Sequence, residues 1–141
     1  MDKKLSLEEL LKTLNKAIRK AEQKVIEELG ASGLTVKQIV YIEAIDELNN
    51  PGMGELASYL NLSKPSITVI IERLMRQGFI RKSQGEDKRS FNVNLTRKGR
   101  DIIKIHDRIH KNISNYFKSS LDEREIDTMI SLLCKVFKRM S

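Results

Sequence analysis

Between Gly54 and Arg89 the chain carries two short helical patterns, a tight break, and then a hairpin with a charged tip. Few folds accommodate that order. The first pattern, Gly54 to Leu60, is an amphipathic helix of about two turns, and Asn61-Leu62-Ser63 interrupts it. Ser63 suits an N-cap and Pro65 falls in the first turn of the next helix, where a missing N–H costs nothing. That second helix, Lys64 to Gln77, lines up Ile67, Ile70, Ile71 and Leu74 on one stripe. Its other face holds Lys64, Pro65, Thr68, Val69, Glu72 and Arg76, and Gly78 ends it. A helix apolar on one side, with small polar and cationic groups on the other, can press into a major groove. Two strands follow, Phe79–Ser83 and Phe91–Leu95, the second alternating apolar and polar residues. The loop between them sets Asp87, Lys88 and Arg89 side by side. An arginine at such a tip can enter a narrow minor groove, with the Asp87 carboxylate holding it in position. The expected fold is mainly α: a winged helix-turn-helix with a two-stranded β wing.

Charge distribution sharpens this. The chain of 141 residues has a net charge of +7. Residues 61–111 contain thirteen Lys/Arg and five Asp/Glu, a surplus of +8, and the remainder balances at −1. The excess therefore coincides with the recognition helix, the wing and the helix after them, the footprint of a phosphate-binding surface. Arg73, Arg76, Arg81, Lys82 and Lys88 are the candidate phosphate partners. With 40% hydrophobic and 32% charged residues, the composition is that of a globular chain of about one domain. No apolar run approaches the roughly 18 residues of a membrane span, and no signal-peptide core precedes the first helix. A lone cysteine, Cys134, excludes an internal disulfide framework and suits the cytoplasm. On an apolar helix it reads as core or interface filler.

The flanking helices suggest how one head becomes two. Ser6-Leu-Glu-Glu9 is a capping box, and Leu7, Leu11, Leu14, Ile18, Ala21 and Val25 form a heptad-like seam on a helix running to about Leu29. Near Asp122, with Glu125 three residues on, a last helix opens; it aligns Ile126, Met129, Ile130, Leu133, Val136, Phe137 and Met140. Long seams at both termini of a chain with a compact centre point to a homodimer. A two-fold pair would place two recognition helices about one DNA turn apart on a palindromic site. Between them, Thr35-Val-Lys-Gln38 caps a helix through Ile39, Ile42, Ile45 and Leu48. Thr96-Arg-Lys-Gly99 opens the long helix after the wing, with Ile102, Ile105, Ile109, Ile113 and Tyr116 along its core face.

These residues bring out a family likeness. Leu34-Thr-Val-Lys-Gln38, Gly54-Glu-Leu-Ala57, Ser63-Lys-Pro-Ser-Ile-Thr68 and Leu74-Met-Arg-Gln-Gly-Phe-Ile-Arg81 resemble, in order and spacing, the MarR family of bacterial and archaeal transcriptional regulators. Asp87-Lys-Arg89 followed by Val93-Asn-Leu-Thr-Arg-Lys-Gly99 is the strongest match, and the likeness covers essentially the whole length. It implies one domain over residues 1–141, with residues 1–30 and 100–141 as dimerisation helices and 35–99 as the winged DNA-binding region. It further implies that Arg89 reaches the minor groove and that residues from Ser63 to Val69 read the major groove. Lys64, Pro65, Thr68 and Val69 are then the candidates for base contact, and Ser63 and Ser66 for capping and phosphate. Such proteins commonly repress, and many release double-stranded DNA when a small ligand binds.

The ligand is less legible. The string Gly99 to Lys111 is also similar to the branch that represses fatty-acid synthesis and responds to acylated carrier protein. That likeness implies an apolar pocket at Ile42, Ile102, His106, Ile109 and His110; a small-molecule effector is the other expectation. His106 and His110, four apart, also form half of a zinc site. Zinc-sensing relatives add ligands from the first two helices, which here would fall to Glu27, Glu28 or Glu43. A zinc-responsive regulator and a winged helix binding an acidic protein are thus the alternatives, and no metal or cofactor is assigned. No GxGxxG, P-loop, nucleophile elbow or HExxH occurs, and His106 and Asp107 diverge around their helix, so no enzyme is expected.

Overall fold

The computed structural model describes residues 4–28, 34–87 and 89–141. Its elements run α1 (Leu7–Glu28), α2 (Val36–Leu48), α3 (Met53–Tyr59), α4 (Lys64–Arg76), β1 (Ile80–Gln84), β2 (Phe91–Leu95), α5 (Arg97–Ser120) and α6 (Glu123–Met140). Two compact units divide the chain, Met1–His106 and Asp107–Ser141.

In the first unit, helix boundaries follow local chemistry. Ser6 and Glu9 exchange side-chain and backbone hydrogen bonds at the start of α1, and Thr35 with Gln38 repeats the device at α2. Asn49, in the left-handed region, closes α2. Gly52 and Pro51 then run beside the wing: the Val93 N–H donates to the Pro51 carbonyl at 2.8 Å, and Gly52 bridges Asn92. Asn61, at φ 53°, makes the turn between α3 and α4. Beyond α4 the Phe79 N–H reaches back to the Leu74 carbonyl and the Gly78 N–H to that of Met75. This Schellman closure requires the positive φ of Gly78 and stacks buried Phe79 near buried Leu74. Phe79, expected as the first residue of the strand, is spent on this cap instead; pairing starts at Ile80.

β1 and β2 pair antiparallel with Ile80 opposite Leu95 and Gln84 opposite Phe91. Val93 and Leu95 are buried in the core, while Arg81, Lys82 and Ser83 are exposed. Ile42, Ile45, Leu56, Ile67, Ile71 and Leu74 are fully buried with Val93, and Ile26 of α1 and Ile102 of α5 complete the cluster. Thr96 caps α5 by accepting from the Gly99 N–H and donates to the Gly78 carbonyl at 2.6 Å. Lys98 donates to the Gln77 carbonyl at 2.7 Å and lies over the Phe79 ring. Gly99 allows the approach, since a Cβ there would overlap the Phe79 carbonyl. The end of α4 and the start of α5 are therefore one tightly knit joint.

The second unit holds the rest of α5 and all of α6. Asp122 and Glu125 form the expected capping box. No residue of α6 is buried. Ile130, Leu133, Val136, Phe137 and Met140 are all exposed. Tyr116, read as a core residue, is 74% exposed, because the apolar stripe of α5 stops supporting burial before it. Cys134 is exposed too, so it is not core. Of the α1 seam, Leu7, Leu11 and Leu14 are exposed; the side chain of Val25 and the residue Leu29 lie outside the described residues. Among the described residues, no helix is long and apolar enough to cross a membrane.

Candidate nucleic-acid interface

α4 is built to be gripped from behind. Ile67, Ile71 and Leu74 are buried and Ile70 half-buried, which fixes the opposite face outward. On that face Lys64, Pro65, Ser66, Thr68, Glu72, Arg73 and Arg76 are exposed, and Val69 is 63% exposed. Ser63 accepts from the Ser66 N–H at 3.3 Å and donates to the Ser66 hydroxyl at 2.9 Å. The Ser66 hydroxyl is left to donate outward from the first turn, where the helix dipole favours an anion. Thr68 donates to the Lys64 carbonyl at 2.9 Å, which leaves its oxygen as an outward acceptor. Beside it, the exposed Val69 side chain offers an apolar surface.

The wing is less as expected. Its tip is closed by Gly85 N–H to the Ser90 carbonyl at 3.1 Å and Ser90 N–H to the Asp87 carbonyl at 2.9 Å. Arg89 is exposed. Asp87 does hold it, but through the backbone: the carboxylate accepts from the Arg89 N–H at 3.2 Å. Orienting the guanidinium was the expectation; shaping the turn is what the carboxylate does, an Asx-type bond that short side chains favour. Lys88 lies outside the described residues. Lys82 is steadied over the Phe91 ring at 5.1 Å, an aromatic partner the alternation pattern hid because Phe91 is half exposed. Arg81 is exposed as well, on the opposite face of the strand.

The expected ligand residues are placed differently. Ile42 and Ile102 are packed within the core cluster. Ile109 is buried and His110 exposed. His106, the last residue of the first unit, is buried and engaged at both ring nitrogens. Glu22 of α1 lies 2.7 Å from its Nε2, and Glu43 of α2 contacts its Nδ1. Three helices thus meet on one imidazole. Of the acids expected near it only Glu43 is there; Glu27 accepts from Gln23 and Glu28 pairs with Lys24 along α1. Glu22 was missed, yet it had a signal: it sits four residues from both Ile18 and Ile26, an acid on an otherwise apolar helix face.

Comparison with known proteins agrees with this geometry. Residues 34–91 match the model of the MarR family. The regulator PchR of Bacillus subtilis is 31% identical over 111 residues, covering 78% of this chain and 64% of that protein. The chain thus spans a little under two thirds of that relative's length. A MarR family protein from Bacillus stearothermophilus superposes with a TM-score of 0.75 at 23% identity, over 95% of this chain and 92% of its own. A mutant of S. aureus MepR, bound to an oligodeoxyribonucleotide, does so with a TM-score of 0.69 at 20% identity, over 98% of this chain and 100% of that one. These two establish the fold alone.

Proposed function

The chain belongs to the MarR family, and from that premise we propose that it is a sequence-specific regulator of transcription, a homodimeric repressor that binds a palindromic operator in double-stranded DNA and responds to a ligand. The observation that carries this is the outer face of α4. A stripe of buried isoleucine and leucine clamps the helix, so Lys64, Pro65, Thr68 and Val69 project together and Ser63 and Ser66 stand ready for a phosphate. Arg73 and Arg76 continue the cationic edge, and Lys82 and Arg89 of the wing extend it, with Asp87 shaping the tip; Lys88 joins this reading by sequence alone. Base contact then comes from α4, minor-groove contact from Arg89, and register from the flanking cations.

Dimerisation is supported by the apolar side chains that α1 and α6 leave exposed. Paired heads favour half-sites about one helical turn apart. Selection from fragmented genomic DNA followed by footprinting tests the reading. A protected inverted repeat is expected, with affinity falling steeply as salt rises. Equal protection of every duplex would overturn sequence-specific regulation and leave the alternative, a basic winged helix that meets an acidic protein.

A second reading, zinc response at His106 and His110, is favoured by one observation. Glu22 sets a carboxylate oxygen at the Nε2 of His106, and Glu43 on Nδ1 is placed as the carboxylate that orients a metal-bound imidazole. Operator affinity measured with and without zinc tests it; no difference would remove it.

A further inference from the structure

The C-terminal end of α4 is held by polar contacts from two directions. From the start of α5, the Lys98 ammonium donates to the Gln77 carbonyl and the Thr96 hydroxyl to the Gly78 carbonyl. Both grip backbone, so they are indifferent to the side chain at position 77. Gln38 of α2 makes a different kind of contact. Its Nε2 donates to the Gln77 Oε1 at 3.0 Å, across 39 residues of sequence. The same amide accepts the Thr35 N–H on Oε1 at 3.0 Å, and the Gln38 N–H donates to the Thr35 hydroxyl at 3.2 Å. Capping α2 therefore needs only the oxygen of Gln38, and that demand turns its NH2 toward α4. Gln38 is 6% exposed, one of three buried polar side chains among the described residues, beside Glu22 and His106.

Apolar packing and this polar joint place α4 in different ways. Ile67, Ile71 and Leu74 are fully buried and decide which face of the helix turns outward. Apolar contact is non-directional, so it tolerates a small swing of the axis more readily than a hydrogen bond does. Thr68 lies nine residues before Gln77, about 14 Å along a helix. A swing of about 5° at Gln77 moves Thr68 by about 1 Å. Hydrogen-bond lengths vary by only about half an ångström, so that swing is enough to lose a base contact. The far end of the helix thus amplifies any slack at the joint.

We propose that Gln38 and Gln77 are a positioning pair for base reading: their amide–amide bond sets the tilt of α4, and with it the preference for one duplex sequence over another. The pair acts through Lys64, Pro65, Thr68 and Val69 and rests on the assignment of those residues to DNA. Local rules do not require the pairing, since glutamate at position 38 would complete the capping box equally well.

A double-mutant cycle on the full chain tests it, read by fluorescence anisotropy as the ratio of operator to non-operator affinity. The operator is the duplex recovered by the genomic selection. Added negative charge weakens binding to every duplex and cancels in that ratio. Gln38→Glu alone keeps a bond, because the Gln77 amide can turn its NH2 toward the carboxylate, and Gln77→Glu alone keeps Gln38 as donor. Each single substitution should leave the ratio within about threefold of the parent. Together they set two carboxylates against each other, and the ratio should fall at least about tenfold, as for the loss of one good base contact. Gln38→Glu with Gln77→Lys restores a donor and the parent's net charge, and should restore the ratio. Gln77→Ala adds no charge and should lower the ratio as the double carboxylate variant does. It replaces that variant if circular dichroism shows that two carboxylates prevent folding. An unchanged ratio in the folded variants, or no rescue by the lysine, overturns the positioning role while the DNA reading stands. A parent ratio of about one overturns the DNA reading and the positioning role with it.

Discussion

The head from α2 to β2 and the terminal helix α6 use apolar residues in opposite ways. In the head, Leu56, Ile67, Ile71, Leu74 and Val93 close on one another and leave polar groups and Val69 outside. In α6 a stripe of comparable length ends exposed from Ile130 to Met140. A hydrophobic face closed within its own unit contributes to folding; one left open contributes only when something covers it. The difference separates the part proposed to read DNA from the part proposed to pair.

Substitutions break or sharpen that contrast. His106→Ala should have the largest effect, about 3–5 kcal/mol in denaturant unfolding, because it leaves the buried Glu22 carboxylate without its partner. Unaltered stability would mean that the three-helix junction is ornamental. Next, Leu56→Ala should cost about 2–5 kcal/mol by opening a cavity in a closed core. Leu133→Ala on α6 should barely change unfolding of dilute chain and instead raise the dissociation constant measured by sedimentation. Comparable unfolding losses at both positions would erase the distinction between the regions. Arg89→Ala is expected to weaken operator binding by about 1–3 kcal/mol while the sedimentation profile stays the same. Full affinity in a fluorescence-anisotropy titration would take the wing tip out of recognition. Smallest, Ser63→Ala should cost about 1 kcal/mol of stability through the lost cap on α4. A melting curve matching the parent would show that Pro65 alone sets the start of that helix.

Much of the fold was legible because local rules act over a few residues. Thr35 with Gln38, Ser63 with Pro65, and Asp122 with Glu125 each mark a helix start that forms where expected. The face of α4 was readable for the same reason, since a period of 3.6 fixes which residues share a side. Phe79 and Tyr116 were misplaced because both depend on where an element stops being covered, and apolar character alone does not say so. Asp87 was half right: its position at the tip followed from sequence, but whether it meets a side chain or a backbone N–H depends on the turn's actual dihedrals.

What the sequence determined by itself is the order of elements, their caps, and the concentration of positive charge on residues 61–111. Tertiary structure alone decided the pairings between distant helices. Glu22 and His106 are 84 residues apart, and no local pattern couples them. The same contact shifts α1's surface charge: packing draws one acid inward on a helix whose acidic and basic residues balance in sequence. Charge adds along a chain regardless of order, but its field depends on where folding leaves each group.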